Sequence, residues 1–203
     1  ARQDTKQAVV FLHGIPGADP IHRLWPGIRH CDSAHRIRTL TTVATPHRGS
    51  ELVHRVANTR GAWQLFARRF LYPGILQLTP QVCEQFNRDT PERSDVSYFS
   101  WAGCRPAEEM PMVYRRQARI LQRKEDDNDS QVGVQSAIWG TFRGMLRVDH
   151  MELAGWSLGL ARRSIRRPFD HIAFYQALVD EAPGLSGLSG APVVESSCRG
   201  RDG

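Results

Sequence analysis

Five apolar residues in a row, Ala8-Val9-Val10-Phe11-Leu12, stop at the turn-forming His13-Gly14-Ile15-Pro16-Gly17. An unbroken apolar run of this length predicts a strand covered on both faces, as in a parallel sheet. The β-branched run Thr39-Leu40-Thr41-Thr42-Val43-Ala44-Thr45 predicts a second, ending at the polar loop Pro46-His47-Arg48-Gly49-Ser50. Asp95 to Gly103 alternates and is rich in aromatics, which predicts a third strand, and Thr141 to Val148 contains a fourth. Between them, apolar residues recur at helical spacing. Glu51 to Tyr72 carries Leu52, Val53, Val56, Trp63, Leu65, Phe66 and Phe70, punctuated by Gly61 and Pro73. Leu76 to Arg88, Pro111 to Lys124 and Phe169 to Glu181 predict three more helices. Strands alternating with helices imply an α/β fold, a mainly parallel sheet flanked by helices. Gly, Ser and Pro dominate from Pro183 onward. The expected organisation is therefore one domain over 1–182 and a flexible C-terminal tail over 183–203.

Composition narrows the class without naming a reaction. With 203 residues, 40% of them hydrophobic, the chain can bury a real core. No apolar run approaches the roughly 18 residues of a membrane span, so no transmembrane segment is expected. The chain starts at Ala1 with no visible signal peptide, so localisation is not legible. The net charge of +6 invites nucleic acid or an anionic lipid surface as partner. The arginines are scattered, however, with one cluster at Arg162, Arg163, Arg166 and Arg167, and no nucleic-acid motif accompanies them. Nucleic acid is not expected; peripheral lipid contact stays open. Cys31, Cys83, Cys104 and Cys198 show no metal spacing and no CxxC pair, and fit either disulfides or buried thiols.

The Thr39–Ser50 segment resembles, nearly letter for letter, the strand and loop that follow the nucleophile in bacterial and fungal triacylglycerol lipases of the α/β-hydrolase superfamily. The resemblance extends over about Val9 to Glu181. It implies hydrolysis of carboxylic esters, acylglycerols among them, with an ester or lipid substrate and no organic cofactor. Such chemistry needs a nucleophile, a base, a group orienting that base, and oxyanion donors. His13-Gly14-Ile15 follows the first strand, where the superfamily places its oxyanion loop; Gly14 lets the backbone turn and the Ile15 amide would be a donor. Asn128-Asp129-Ser130-Gln131-Val132 is similar to the Asn-Asp-Gly-Leu-Val loop of the family's catalytic acid, which gives Asp129 that role. Here Ser130 replaces the usual glycine and Gln131 an apolar residue. Asp149-His150-Met151-Glu152 resembles the loop bearing the base, which gives that role to His150; His171 is the weaker candidate. Glu152 matches a calcium-binding position of some relatives, but Trp156 stands where they use an amide ligand and no second carboxylate is identifiable. No metal is expected.

The nucleophile itself is the missing piece. Leu24 to His30 is similar to the family's stretch soon after the oxyanion loop, and Ala34 to Leu40 to the stretch after the nucleophile's helix. Only Cys31-Asp32-Ser33 separates them, where the family has several dozen residues. The expectation is a partial α/β-hydrolase fold lacking a central strand, with little or no serine-dependent activity. Exposed sheet edges at the gap and self-association would follow. A G-x-S-x-G pattern exists at Gly155-Trp156-Ser157-Leu158-Gly159. It follows His150 and so reverses the superfamily's serine-acid-histidine order, and no good strand ends at Gly155. Ser33 and Ser50 have no elbow context. The alternatives are an active hydrolase using Ser157 in a rearranged site, or a non-catalytic module binding lipid or a partner.

Overall fold

A computed structural model of the chain describes residues 8–12, 32, 35, 37–58, 77–125, 127–156 and 169–180. Among the described residues, four parallel strands form one sheet in chain order: β1 (Ala8–Leu12), β2 (Thr39–Val43), β3 (Ser97–Gly103) and β4 (Thr141–Leu146). The helices are α1 (Glu51–Asn58), α2 (Pro80–Asp89), α3 (Met112–Glu125), α4 (Val134–Ala137), α5 (His150–Leu153) and α6 (His171–Asp180), with a 3₁₀ turn at Ala107–Glu109. All four predicted strands and the predicted helices at α2, α3 and α6 are present; β1 has the expected bounds and the others differ by a few residues at their ends. The predicted helix from Glu51 is described only as far as Asn58, and the predicted tail lies outside the described residues.

β2 is buried along its whole length, as its unbroken β-branched run requires of a strand with neighbours on both edges and cover on both faces. One face of the sheet packs Val43, Trp101, Leu146 and Val148 against Leu153 of α5 and Phe174 and Leu178 of α6. Trp101 meets Phe174 edge-on, with ring centroids 5.5 Å apart. The opposite face packs Ala102, Phe142 and Met145 against Val132, Val134, Ala137 and Ile138. Phe142 and Met145 share that face although three positions apart. The register shift between Ser100 and Trp101 pairs Ser100 with Phe142 but Trp101 with Gly144, so Arg143 is an extra residue and the alternation of β4 flips. The Arg143 guanidinium lies over the Phe99 ring, 4.3 Å from its centroid.

The sheet shows no gap where a central strand was expected to be lost. β1 pairs directly with β2 in parallel, from Ala8↔Thr39 to Leu12↔Val43. A strand edge left open exposes a row of unsatisfied amides and carbonyls, and closing the ladder satisfies them.

A second cluster ties down the amino ends of β2 and β3. Arg93 bonds Asp32 at 3.1 Å and Asp95 at 2.5 Å, and His35 bonds Asp95 at 2.8 Å. Asp32 also accepts from the Ile37 amide, and the Ser97 amide donates to Arg38. The guanidinium beside Asp95 holds its carboxyl well below the usual carboxylate range. Cys104, just past β3, is disulfide-bonded, while Cys83 is a buried free thiol whose titration burial pushes up to about 11.

Candidate active site

In open parallel sheets, ligands bind beyond the carboxyl ends of the strands. Two loops meet there. The first follows β3 through α3 and carries Asp129; the second follows β4 and carries His150.

Asp129 is fully buried, and its loop is wound around its own side chain. Oδ1 accepts from the amides of Gln131 (2.9 Å) and Val132 (2.7 Å), and the Asn128 carboxamide accepts from the Ser130 amide. Asp and Asn fold loops this way because their short side chains reach amides two and three residues on. With Oδ1 engaged by the backbone, Oδ2 is held toward His150, and the His150 Nδ1 to Asp129 Oδ2 distance is 2.7 Å. The His150 amide donates to the Asp129 carbonyl at 2.9 Å, so backbone and side chain both join the pair. A carboxylate only accepts, so Nδ1 carries the hydrogen and Nε2 is the basic nitrogen of the neutral ring.

His150 is the first residue of α5, and the residue before it starts the helix. Asp149 accepts from the amides of Met151 and Glu152, while Glu152 accepts from the Asp149 amide: a reciprocal capping box. Both carboxylates are buried and contact the buried Arg105, whose Nη1 is 2.5 Å from Glu152 and 3.6 Å from Asp149. Burial, and then the charge of Glu152, push the Asp149 carboxyl up to about 6. Glu152, at the position resembling a calcium ligand, thus has a guanidinium as its counter-ion. Among the described residues, no group of three or more His, Cys, Asp or Glu could hold a metal ion.

The loop after β2 buttresses the Asp129 loop. Ser50 Oγ donates to the Gln131 carbonyl at 2.7 Å, and Ser136 joins Gly49 and Arg48. Ser50 and Ser136 escape a sequence reading because a serine's partner in another loop leaves no local pattern. At the end of β3, a Cβ on Gly103 would come 3.0 Å from Asp129 Cβ and 3.3 Å from its Oδ2. Ser130 adopts φ +86° with a buried hydroxyl that has no hydrogen-bond partner.

The other sequence candidates separate from this pair. His171 opens α6 and packs its ring against Gly155. Gly14, Ile15 and Ser157 lie outside the described residues. Gly155 and Trp156, the first two residues of the G-x-S-x-G pattern, are described. Gly155 (φ +77°) donates to the Glu152 carbonyl and Trp156 to the Met151 carbonyl, both at 2.9 Å. That pair of bonds with a left-handed glycine is a helix-ending motif. A helix stops at Gly155, whereas a nucleophile elbow begins where a strand ends.

Solved structures share this arrangement of strands and helices. A metagenomic carboxyl esterase superposes with a TM-score of 0.59 at 21% identity, covering 74% of this chain and 49% of that one. The chain has a partial α/β-hydrolase fold. Two further α/β-hydrolases, the mature lipase of Bacillus licheniformis and a lipase of Staphylococcus hyicus, each reach a TM-score of 0.52, at 18% and 15% identity. They cover 74% and 70% of this chain, and 58% and 56% of their own. In sequence, the chain is 33% identical over 126 residues to triacylglycerol lipase 2 of Saccharomyces cerevisiae. That match covers 59% of this chain and 38% of the yeast protein. The chain thus spans well under half of the curated relative and about half of the esterase. No family model matches it.

Proposed function

We propose that the chain carries the acid–base half of a lipase or esterase triad, with Asp129 orienting His150, and that its ancestral substrates are carboxylic esters of the acylglycerol class. The observation that carries this reading is the buried 2.7 Å contact between Asp129 Oδ2 and His150 Nδ1. A histidine held this way takes a proton from a hydroxyl through Nε2, and the carboxylate stabilises the imidazolium that results. The Ile15 amide, with Gly14 shaping its loop, would supply an oxyanion donor. The similarity to the yeast triacylglycerol lipase supports the substrate class.

The hydroxyl is the part proposed to be lost. The direct pairing of β1 with β2 supports the absence of a nucleophile strand between them. Without a serine the covalent route is closed, and only binding and oxyanion donors remain to accelerate hydrolysis. The expected result is no labelling by a fluorophosphonate probe and near-background hydrolysis of p-nitrophenyl butyrate. Labelling that disappears in Ser157→Ala would replace this reading with that of an active enzyme using the G-x-S-x-G serine.

A further inference from the structure

Arg105 is almost fully buried just beyond β3, and it touches both loops of the candidate site. Its amide donates to the Asn128 carbonyl at 3.1 Å, which ties its main chain to the residue before Asp129. Its side chain reaches the other way. Nη2 donates to the Arg147 carbonyl at 2.8 Å, and Nη1 contacts the carboxylates of Asp149 and Glu152. These three residues bracket His150 along the chain.

Burying a guanidinium and two carboxylates is costly, and such clusters seldom add net stability over apolar packing. Arg105 is not fully satisfied: Nε has no hydrogen-bond partner, and Nη1 meets the carboxylates outside hydrogen-bond angles. What the cluster supplies is geometry. A planar fork can hold a carbonyl and a carboxylate at once, whereas an ammonium is a point charge on a flexible stem. Asp129 and His150 belong to loops 21 residues apart, and their side-chain bond is only as fixed as the spacing between those loops.

We propose that Arg105 is a positioning residue that sets the distance between the acid loop and the base loop, acting on His150 through Arg147, Asp149 and Glu152. The inference rests on the reading of Asp129–His150 as an acid–base pair and adds the residue that aligns it.

Proton NMR tests this without any turnover, because a hydrogen shared between imidazole Nδ1 and a buried carboxylate resonates far downfield and exchanges slowly. The wild-type chain is expected to show this resonance. Arg105→Met is expected to lose it to exchange broadening, at a temperature where circular dichroism shows the variant folded. Arg119→Met, which removes only an exposed pair with Glu108, is expected to keep it. If Arg105→Met does not fold, Arg105→Lys is measured in its place; it retains a charge but not the span, and is expected to lose the resonance too. A sharp, unshifted resonance in the folded Arg105 variant overturns the inference while leaving the pair intact. A wild-type chain without the resonance overturns the acid–base reading, and the inference falls with it.

Discussion

At the scale of single residues, the Asp129 loop carries a removable strain. Ser130 occupies left-handed backbone that costs a residue with a Cβ about 1–2 kcal/mol, and it buries a hydroxyl with no partner. Ser130→Gly removes both penalties, at an entropic cost in the unfolded chain of about 0.5–1 kcal/mol. The variant is expected to be more stable by about 1 kcal/mol in urea unfolding; a destabilised variant would contradict this account. Asp149 governs a pH dependence. Its carboxyl is pushed up to about 6 from the ordinary 3.8, so the folded chain keeps a proton that the unfolded chain has already released. The contribution is complete below pH 4 and is lost as pH rises through 6, a decline of about 3 kcal/mol. Asp149→Asn keeps a capping oxygen and removes the titration. Its stability relative to wild type should therefore rise by about that amount between pH 4 and 7. A pH-independent difference would remove Asp149 from the titration.

At the scale of elements, periodicity was the reliable guide. The runs at Ala8 and Thr39 are strands, and the helical spacing after Pro80 and Met112 is real. The bulge in β4 was illegible, because nothing in Thr141–Leu146 announces that Arg143 is an added residue. The pairing of Asp129 with His150 followed from a resemblance rather than from periodicity, since neither an acidic turn nor a lone histidine signals its partner. Arg105 left no signal at all. Its role depends on three residues from another loop, and in sequence it is one more arginine in a basic chain. Gly103 is similar: a strand-end glycine whose reason is the carboxylate packed against it. Gly103→Ala is expected to cost about 1–3 kcal/mol through overpacking and to weaken the downfield His150 resonance. A variant with unchanged stability and an unchanged resonance would show that the acid loop moves aside freely.

At the scale of the whole molecule, the two ends of the sheet are held differently. The carboxyl ends are fixed by loops around Asp129 and His150, and the amino ends by Arg93 with Asp32 and Asp95. The Arg93 cluster holds Asp32 and His35 beside the amino ends of β2 and β3. Arg93→Met is expected to speed amide hydrogen exchange at Ile37 and Ser97, with little change at Val132 in the acid loop. Equal acceleration at both ends would show that the sheet opens as one unit rather than from one side. The ladder between β1 and β2 bears on any strand added beside β2. A transplanted elbow segment would find no vacant slot to fill, because the edge of β2 that it needs is already taken by Val9 to Leu12. Placing such a segment in this scaffold is thus a contest between two strands for one row of amides, and the newcomer must evict the resident before it can pair.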